Sequence, residues 1–480
     1  VCPRGLAAHD LPAGCADVAE TPDLLFARLE EWGLPAIAIP HGLSWGVTNP
    51  PGANLRNQLG PPMHDPKWQR LIELYSGHGS SEVFADFERE SVTAEGEAVC
   101  PPSTDRFEPC CQRAATLARE RCAEPGSGEC QSVVEEVRER AAREGNSLLG
   151  RYLGGAEDWV PGTTLEDYGD CGQLRDGFLA ANDYRPGGSA QQGYAGASID
   201  ETSAPAYWRL GIIAASDNHL SRAGAGYKEF GRLQNTEGYT RAGPERPYGS
   251  YFFTGGLAAA HATGRDRASV FEALHRREVY GTSGDRILLW FDHVEGGQRH
   301  PMGSRVRATS APRFEVRALG AFRQKPGCPD FVEEKLGPER LSWLCMSECY
   351  FPSDERKRID RIEVVRITPR TSVAESVAAA IDDPWKTVAC EPDEAGCSIT
   401  FEDPDFGARE TLYYVRAIQE PSPAVNGDPL RCEARDAAGR CLKARMCPGT
   451  GRAGDPPAED CLAPVEERAW SSPIWVQPPL

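Results

Sequence analysis

Apolar positions Leu24, Leu25, Leu29 and Trp32 recur at helical spacing within residues 21–33 (TPDLLFARLEEWG). The segment also carries its own punctuation. Thr21 stands where a cap belongs, Pro22 at the first helical position and Gly33 at the stop. Residues 35–39 (PAIAI) follow as a short apolar run and predict a buried strand that ends in Pro40, His41 and Gly42. Residues 71–75 (LIELY) predict a second strand ending in the polar stretch 76–79 (SGHG). Residues 208–216 (WRLGIIAAS) predict a third, running into Asp217, Asn218 and His219. A helix followed by a buried strand, with polar residues at the strand's end, is the rhythm of an α/β fold. In parallel α/β barrels the active groups sit at the carboxyl ends of strands.

Elsewhere the pattern changes character. Residues 110–145 are rich in Ala, Arg and Glu, which favour helix, and Cys100, Cys110, Cys111, Cys122 and Cys130 surround them. This predicts a disulfide-stapled helical insertion over about residues 100–146, read as structural decoration. Residues 185–198 (RPGGSAQQGYAGAS) predict a loop, either a flexible lid or a solvated connection. Residues 266–278 (DRASVFEALHRRE) predict a helix capped by Asp266. Beyond residue 286 short runs at 287–291, 313–317, 362–367, 412–416 and 473–476 read as strands, separated by loops rich in Pro, Gly and Cys. The division expected is an α/β domain over residues 1–285 and a β-sandwich-like module over residues 286–480. No internal repeat is visible.

Composition narrows the class. Of 480 residues, 40% are hydrophobic and 26% charged, which suits a globular protein and excludes wholesale disorder. No run of about 18 apolar residues occurs, so no transmembrane helix is expected. The net charge of −19 argues against nucleic acid and anionic lipid as partners, while a small anionic substrate in a locally positive cleft remains compatible with it. The 17 cysteines favour an oxidising compartment, hence a periplasmic or extracellular location. No C-x-x-C pair exists, which disfavours zinc knuckles. Adjacent Cys110 and Cys111 are expected to find distant partners, because a bond between them strains the geometry. Cys345 and Cys349 read as staples rather than ligands. The odd total leaves one thiol over, or paired with a segment outside this sequence. The first residues, Val1, Cys2 and Pro3, carry neither an initiator methionine nor a signal peptide, so a processed chain or a fragment is expected.

Three positions carry the sharpest chemistry. His41 follows one predicted strand, and Asp217 and His219 follow another. Residues two apart on an extended chain point the same way, so Asp217 and His219 can converge on one spot. A carboxylate and imidazoles so placed are ligands suited to zinc, manganese or iron, and a bound metal could activate water and neutralise phosphoryl charge. The bland alternative is a common D-x-H and a hydrogen-bonded loop histidine. His78 and Glu82 are candidates for orienting ligands or touching substrate, with a helix-capping loop as the alternative. Arg222 could hold a phosphate with the amides around Gly224 and Gly226, or be a surface arginine. Trp45 could line a pocket or simply pack. His261 and His275 are not read as ligands, and Asp403, Asp405 and Asp428 are read as turn residues rather than calcium ligands.

The segments 39–42 (IPHG), 73–82 (ELYSGHGSSE), 215–219 (ASDNH) and 277–286 (REVYGTSGDR), with the β-rich tail, occur in an order that resembles the domain of unknown function 3604 family, of the PHP (polymerase and histidinol phosphatase) superfamily. The resemblance implies a distorted (βα)7 barrel whose strand ends hold two or three divalent metal ions, and a phosphoesterase activity. It places His41 in the family's third motif and Asp217 and His219 in the fourth, each as a metal ligand. The family's opening H-x-H strand has no counterpart among the nine histidines. The barrel expected here therefore lacks its N-terminal strands, and an associated N-terminal fragment of the same precursor is an expected partner, since bare sheet edges are unfavourable. The resulting expectation is an exported metal-dependent hydrolase of a small phosphorylated or other anionic substrate. The alternative is a non-enzymatic secreted binding or assembly protein on a similar scaffold. A glycosidase would need a pair of carboxylates that the sequence does not single out.

Overall fold

The computed structural model describes residues 1–3, 5–41, 55, 60, 63–87, 91–92, 98–144, 159–181, 184–196, 207–216, 253, 255–345, 347–391, 396–424, 427–428, 432–445 and 462–479. The elements that position the site are α1 (Pro22–Trp32), β1 (Leu71–Ser76), β2 (Gly79–Ser80), α2 (Cys110–Glu120), α3 (Gly128–Arg143), α4 (Ala190–Ala195) and β3 (Gly211–Ala214). They continue with β4 (Leu257–Ala260), α5 (Arg267–Arg276), β5 (Val279–Thr282), β6 (Leu288–Glu295), β7 (Gln298–Pro301), β8 (Arg305–Arg307) and β9 (Arg313–Leu319). The last are β10 (Ile359–Ile367), β11 (Ile381–Ala389), β12 (Cys397–Glu402), β13 (Thr411–Gln419), β14 (Cys432–Arg435), β15 (Cys441–Ala444), β16 (Arg468–Ser471) and β17 (Ile474–Gln477).

Three sheets stack. The first is β2-β1-β3, with β1 and β3 parallel. The second runs β8-β17-β13-β16-β5-β4, with β10 on the other edge of β13 and β11 beyond it. The third, β12-β9-β6-β7, is antiparallel throughout. The composition of β13 explains the order. All nine residues of Thr411–Gln419 are buried, so the strand reads as a continuous apolar run rather than an alternation. Tyr413, Val415 and Ala417 pack with Phe291, Phe314 and Phe401 of the third sheet. Leu412 and Tyr414 pack with Ile72, Tyr75 and Ile212 of the first sheet and with Tyr194 of α4. A central sheet covered on both faces keeps Trp470 and Trp475 almost wholly dry. Each such ring removes about 150–250 Å² from water, roughly 4–6 kcal/mol of gross driving force.

The expected (βα)7 barrel is not what forms. Among the described residues no sheet closes on itself, and the strands are mostly antiparallel. Parallel strand pairing there is confined to β1 with β3 and β8 with β17. The reason lies in the neighbours of the β1–β3 pair. Residues 35–39 form no strand, and join the fold through the Ala38 amide on the Trp68 carbonyl. The opposite wall is the second sheet, where Gly281 of β5 lies so close to Ala214 of β3 that a side chain would clash. Strands β4 and β5 pair antiparallel with each other, and β5 with β16, so the sheet runs continuously across residue 285.

Several local expectations hold. Helix α1 stops at Gly33 in the left-handed region, although Thr21 makes no side-chain cap bond. Helix α5 starts at Asp266, whose carboxylate accepts from the Ser269 amide at 2.9 Å. Helices α2 and α3 form the stapled insertion, tied by Cys100–Cys111, Cys110–Cys171 and Cys122–Cys130, so the adjacent cysteines do take separate partners. Seven disulfides form among the described residues, including Cys328–Cys349. They fit a protein matured in an oxidising compartment. No helix among the described residues is long and apolar enough to cross a membrane. Two expectations fail. The α1 stripe faces outward, with Leu24, Leu25 and Trp32 exposed and Phe26 buried. Residues 185–198 contain a 3-10 turn at Pro186–Gly188 and the wholly buried α4, because Tyr194 and the small residues around it fit against the central sheet.

Candidate functional site

The carboxyl ends of β1 and β3 are drawn together by backbone bonds. The Ala215 amide donates to the Tyr75 carbonyl at 2.9 Å, and the Gly256 amide to the Ala215 carbonyl at 2.7 Å. The Phe253 amide donates to the Gly77 carbonyl at 2.8 Å, in the turn that follows β1. That turn closes through Gly79 at φ +101°, where a Cβ would lie 2.6 Å from the Leu179 carbonyl oxygen, so only glycine fits. Beside these strand ends lies a cavity of about 620 Å³. Phe178 and Phe253 line it, together with Arg175, Arg435, Glu466 and Arg468.

His41 is exposed, and its Nδ1 lies 2.9 Å from Glu73 Oε2 on β1. Asp217, His219, Arg222 and Trp45 lie outside the described residues; β3 ends at Ala214, three positions before Asp217. His78 is buried in the turn after β1, its amide donating to Ser76 Oγ at 3.2 Å. Among the described residues no group of three or more His, Cys, Asp or Glu side chains is placed to hold a metal ion. His261 Nε2 donates to the Leu289 carbonyl at 2.9 Å, and Asp403 accepts from the Asp405 amide in a turn.

Glu82 is the centre of a buried network between the first and second sheets. Its carboxylate accepts from Arg416 Nε at 2.5 Å, the Tyr414 hydroxyl at 2.8 Å and Trp470 Nε1 at 2.6 Å. The Arg416 terminal nitrogens go on to Asp383 at 2.6 and 2.5 Å, and one also reaches Glu363 at 3.1 Å. Gln191 of α4 donates to Asp383 and to the Tyr414 hydroxyl. Burial pulls the Arg416 pKa down, but Glu82 and the other anions outweigh it and raise it well above the ordinary value. Burial pushes Asp383 up, and Arg416 more than reverses this, leaving it below the usual carboxylate range. Burial, reinforced by Glu82, drives Tyr414 well up. A second buried cluster joins Lys357 Nζ to Asp285 at 2.7 Å and Ser422 at 3.0 Å, with Gln419 also on Asp285.

Sequence reasoning passed over Arg416, Asp383, Gln191 and Arg468. One signal was present: Arg416 is the charged residue in the apolar run TLYYVRAIQ, and a charge inside a buried strand needs paired partners. Arg468 left no such mark, because β16 is short and its sequence is polar at that position.

Residues 191–320 match the model of a family described as a protein of unknown function, DUF3604. The match spans α4, β3, the segment holding Asp217 and His219, and the chain through β9. No curated protein and no solved structure matches the chain.

Proposed function

We propose that the protein is an exported metal-dependent hydrolase of phosphoesters or related small anionic substrates, working at the carboxyl ends of β1 and β3. The observation that carries this reading is the cavity. The turn after β1 bonds Phe253, Phe253 lines a space of about 620 Å³, and the chain leaves β3 at the same end. Ligands of sheets with parallel strands gather beyond the strand carboxyl ends, and a space of this size suits a small molecule. The family match, which includes Asp217 and His219, supports the same location.

Imidazole and carboxylate donors of this kind suit a divalent cation. His41 faces the Glu73 carboxylate through Nδ1, the arrangement that orients a ligating imidazole. His41, Asp217 and His219 would hold the ion, drawing on the likeness to the PHP superfamily for its chemistry and not for a barrel. A bound zinc, manganese or iron ion supplies Lewis acidity and a more acidic water. Arg222 takes the phosphoryl oxygens in this reading, and His78, buried in the turn after β1, stands near the reacting end.

Purified protein is to be assayed for metal content by plasma mass spectrometry and for p-nitrophenyl phosphate hydrolysis, beside D217A and H219A. Both variants are expected to lose metal and hydrolysis together. Full metal content and undiminished turnover in both would overturn the reading. A metal-free, inactive wild-type protein whose cavity still binds small anions would favour the secreted binding protein instead.

A further inference from the structure

Among the described residues, the half-buried guanidinium of Arg468 lines the cavity beside the strand ends with no carboxylate paired to it. Arg468 opens β16 and lies two residues before Trp470, so it faces the first sheet with it. Its Cζ sits 3.8 Å from the Phe178 ring centroid. Phe178 is itself fixed edge-on to Trp470 and beside Tyr75. The Arg468 Nε donates to the Glu466 carbonyl at 3.4 Å. Its two terminal nitrogens have no hydrogen-bond or carboxylate partner among the described residues.

Glu466, Glu363 and Glu82 take other cations, while Asp170 and Asp428 also line the cavity. Glu466 takes Arg361 through both oxygens at 2.7 and 2.9 Å. Glu363 is shared by Arg361 and Arg416, and Glu82 by Arg416, Tyr414 and Trp470. Across the cavity, Arg175 is spent on Asp170 in a two-point pair at 2.9 and 3.2 Å. Arg435, exposed on the wall, donates to the Gly439 carbonyl, and among the described residues it has no carboxylate partner. Burial, followed by the repulsion of Arg416, lowers the Arg468 pKa to about 10, which leaves it protonated at neutral pH. A planar fork of donors held over an aromatic ring, with its far edge unused and a cavity in front, is the arrangement that captures an oxyanion at two points.

We propose that Arg468 is the anion-holding residue of a ligand site in this cavity, taking the tetrahedral oxyanion of a small phosphate or sulfate ester through its terminal nitrogens, with Arg435 as a second cation on the wall. The inference deepens the hydrolase reading and rests on it for where the ester bond is placed, but the binding step stands by itself. The oxyanion enters at Arg468, and the organic body lies along Phe253.

The test uses the full chain, stripped of metal with a chelator, titrated by calorimetry with inorganic phosphate, sulfate and, as a planar contrast, acetate. Phosphate or sulfate is expected to bind wild-type protein, and R468Q to bind it roughly ten- to hundredfold more weakly, the effect of losing a charge-assisted pair of hydrogen bonds. R299Q, altered on the far face of the third sheet, is expected to bind like wild type. Equal binding in R468Q and wild type, preference for acetate, or no binding at all overturns the proposal. Should R468Q not fold, arginine modification of wild-type protein by phenylglyoxal, read by peptide mass spectrometry, decides the matter. Phosphate must protect the peptide carrying Arg468, and failure to protect it overturns the site. Phosphate binding retained in a hydrolytically dead D217A protein upholds the site. Hydrolysis with an unchanged KM in R468Q removes the site and leaves the hydrolase standing.

Discussion

Replacing Glu82 by Ala tests whether the buried network holds two layers of the molecule together. The carboxylate is about 1% exposed and receives three donors, from Tyr414 and Arg416 on β13 and Trp470 on β16. In the variant, Arg416 still has Asp383 and Glu363, so its charge is not abandoned. The Tyr414 hydroxyl still accepts from Gln191, but its own proton and the Trp470 N–H both lose their acceptor. Three bonds to the carboxylate disappear, and the two stranded donors cost about 1–3 kcal/mol each. The expected loss is about 3–5 kcal/mol, in line with breaking one side of a buried ion pair. That is two to four decades in the folding equilibrium, and a large part of the roughly 5–15 kcal/mol a domain possesses. Denaturant unfolding at pH 7.5, followed by tryptophan fluorescence and circular dichroism, reads it. A shift below about 1 kcal/mol would refute the reasoning, because the carboxylate would then be satisfied by water in both states. E82Q, which keeps an acceptor oxygen and the shape of the side chain, is expected to lose less than E82A.

Other consequences follow from the same structure. Replacing Cys110 and Cys171 with Ala opens a constraint between residues 61 apart, against 8 for Cys122 and Cys130. Chain-entropy arguments put the losses at about 4 and about 2.5 kcal/mol, and denaturant midpoints of the two variants should rank in that order. Gly79→Ala should lower the melting temperature, because it places a methyl against the Leu179 and Ala180 carbonyls at a positive φ; a neutral effect would mean the turn relaxes freely. His293 is buried, and burial lowers its pKa, with Glu295 opposing and His300 adding. The folded protein then binds fewer protons than the unfolded chain, whose histidine titrates near ~6.5. Stability is therefore flat above that pH and falls as pH drops through it toward the folded pKa. H293F should flatten the slope between about pH 6.5 and 5 in denaturant midpoints, and an unchanged slope would count against His293 as its source.

How much of this was legible follows from the range of each signal. Helices α1, α2, α3 and α5 and the cores of β1, β3, β6, β9, β10, β13 and β17 come from local information: apolar spacing, a capping aspartate, a stopping glycine, alanine-rich composition. Cysteine abundance likewise implied staples without any knowledge of layers. The candidate site was legible only in part. His41 was singled out, but its partner Glu73 was visible merely as the polar position of an apolar strand. Glu82 was noticed, yet the residue types around it could not say whether it faced a cavity or a core. Its partner Tyr414 is 332 positions away.

The polypeptide's own order of residues marked most of the helices and strands, though not the absence of a strand at 35–39 nor helix α4, and its cysteine content implied disulfide staples. Tertiary structure alone decided what each strand lies beside. A short apolar strand wants to be dry on both faces, and it is equally dry in a closed barrel or between two sheets. The choice went to the stack because β13 needs cover on both faces, and the β1–β3 pair with α4 supplies one of them. The same packing carried Glu82 into the interior and left the terminal nitrogens of Arg468 beside a cavity, outcomes set by contacts between residues hundreds of positions apart.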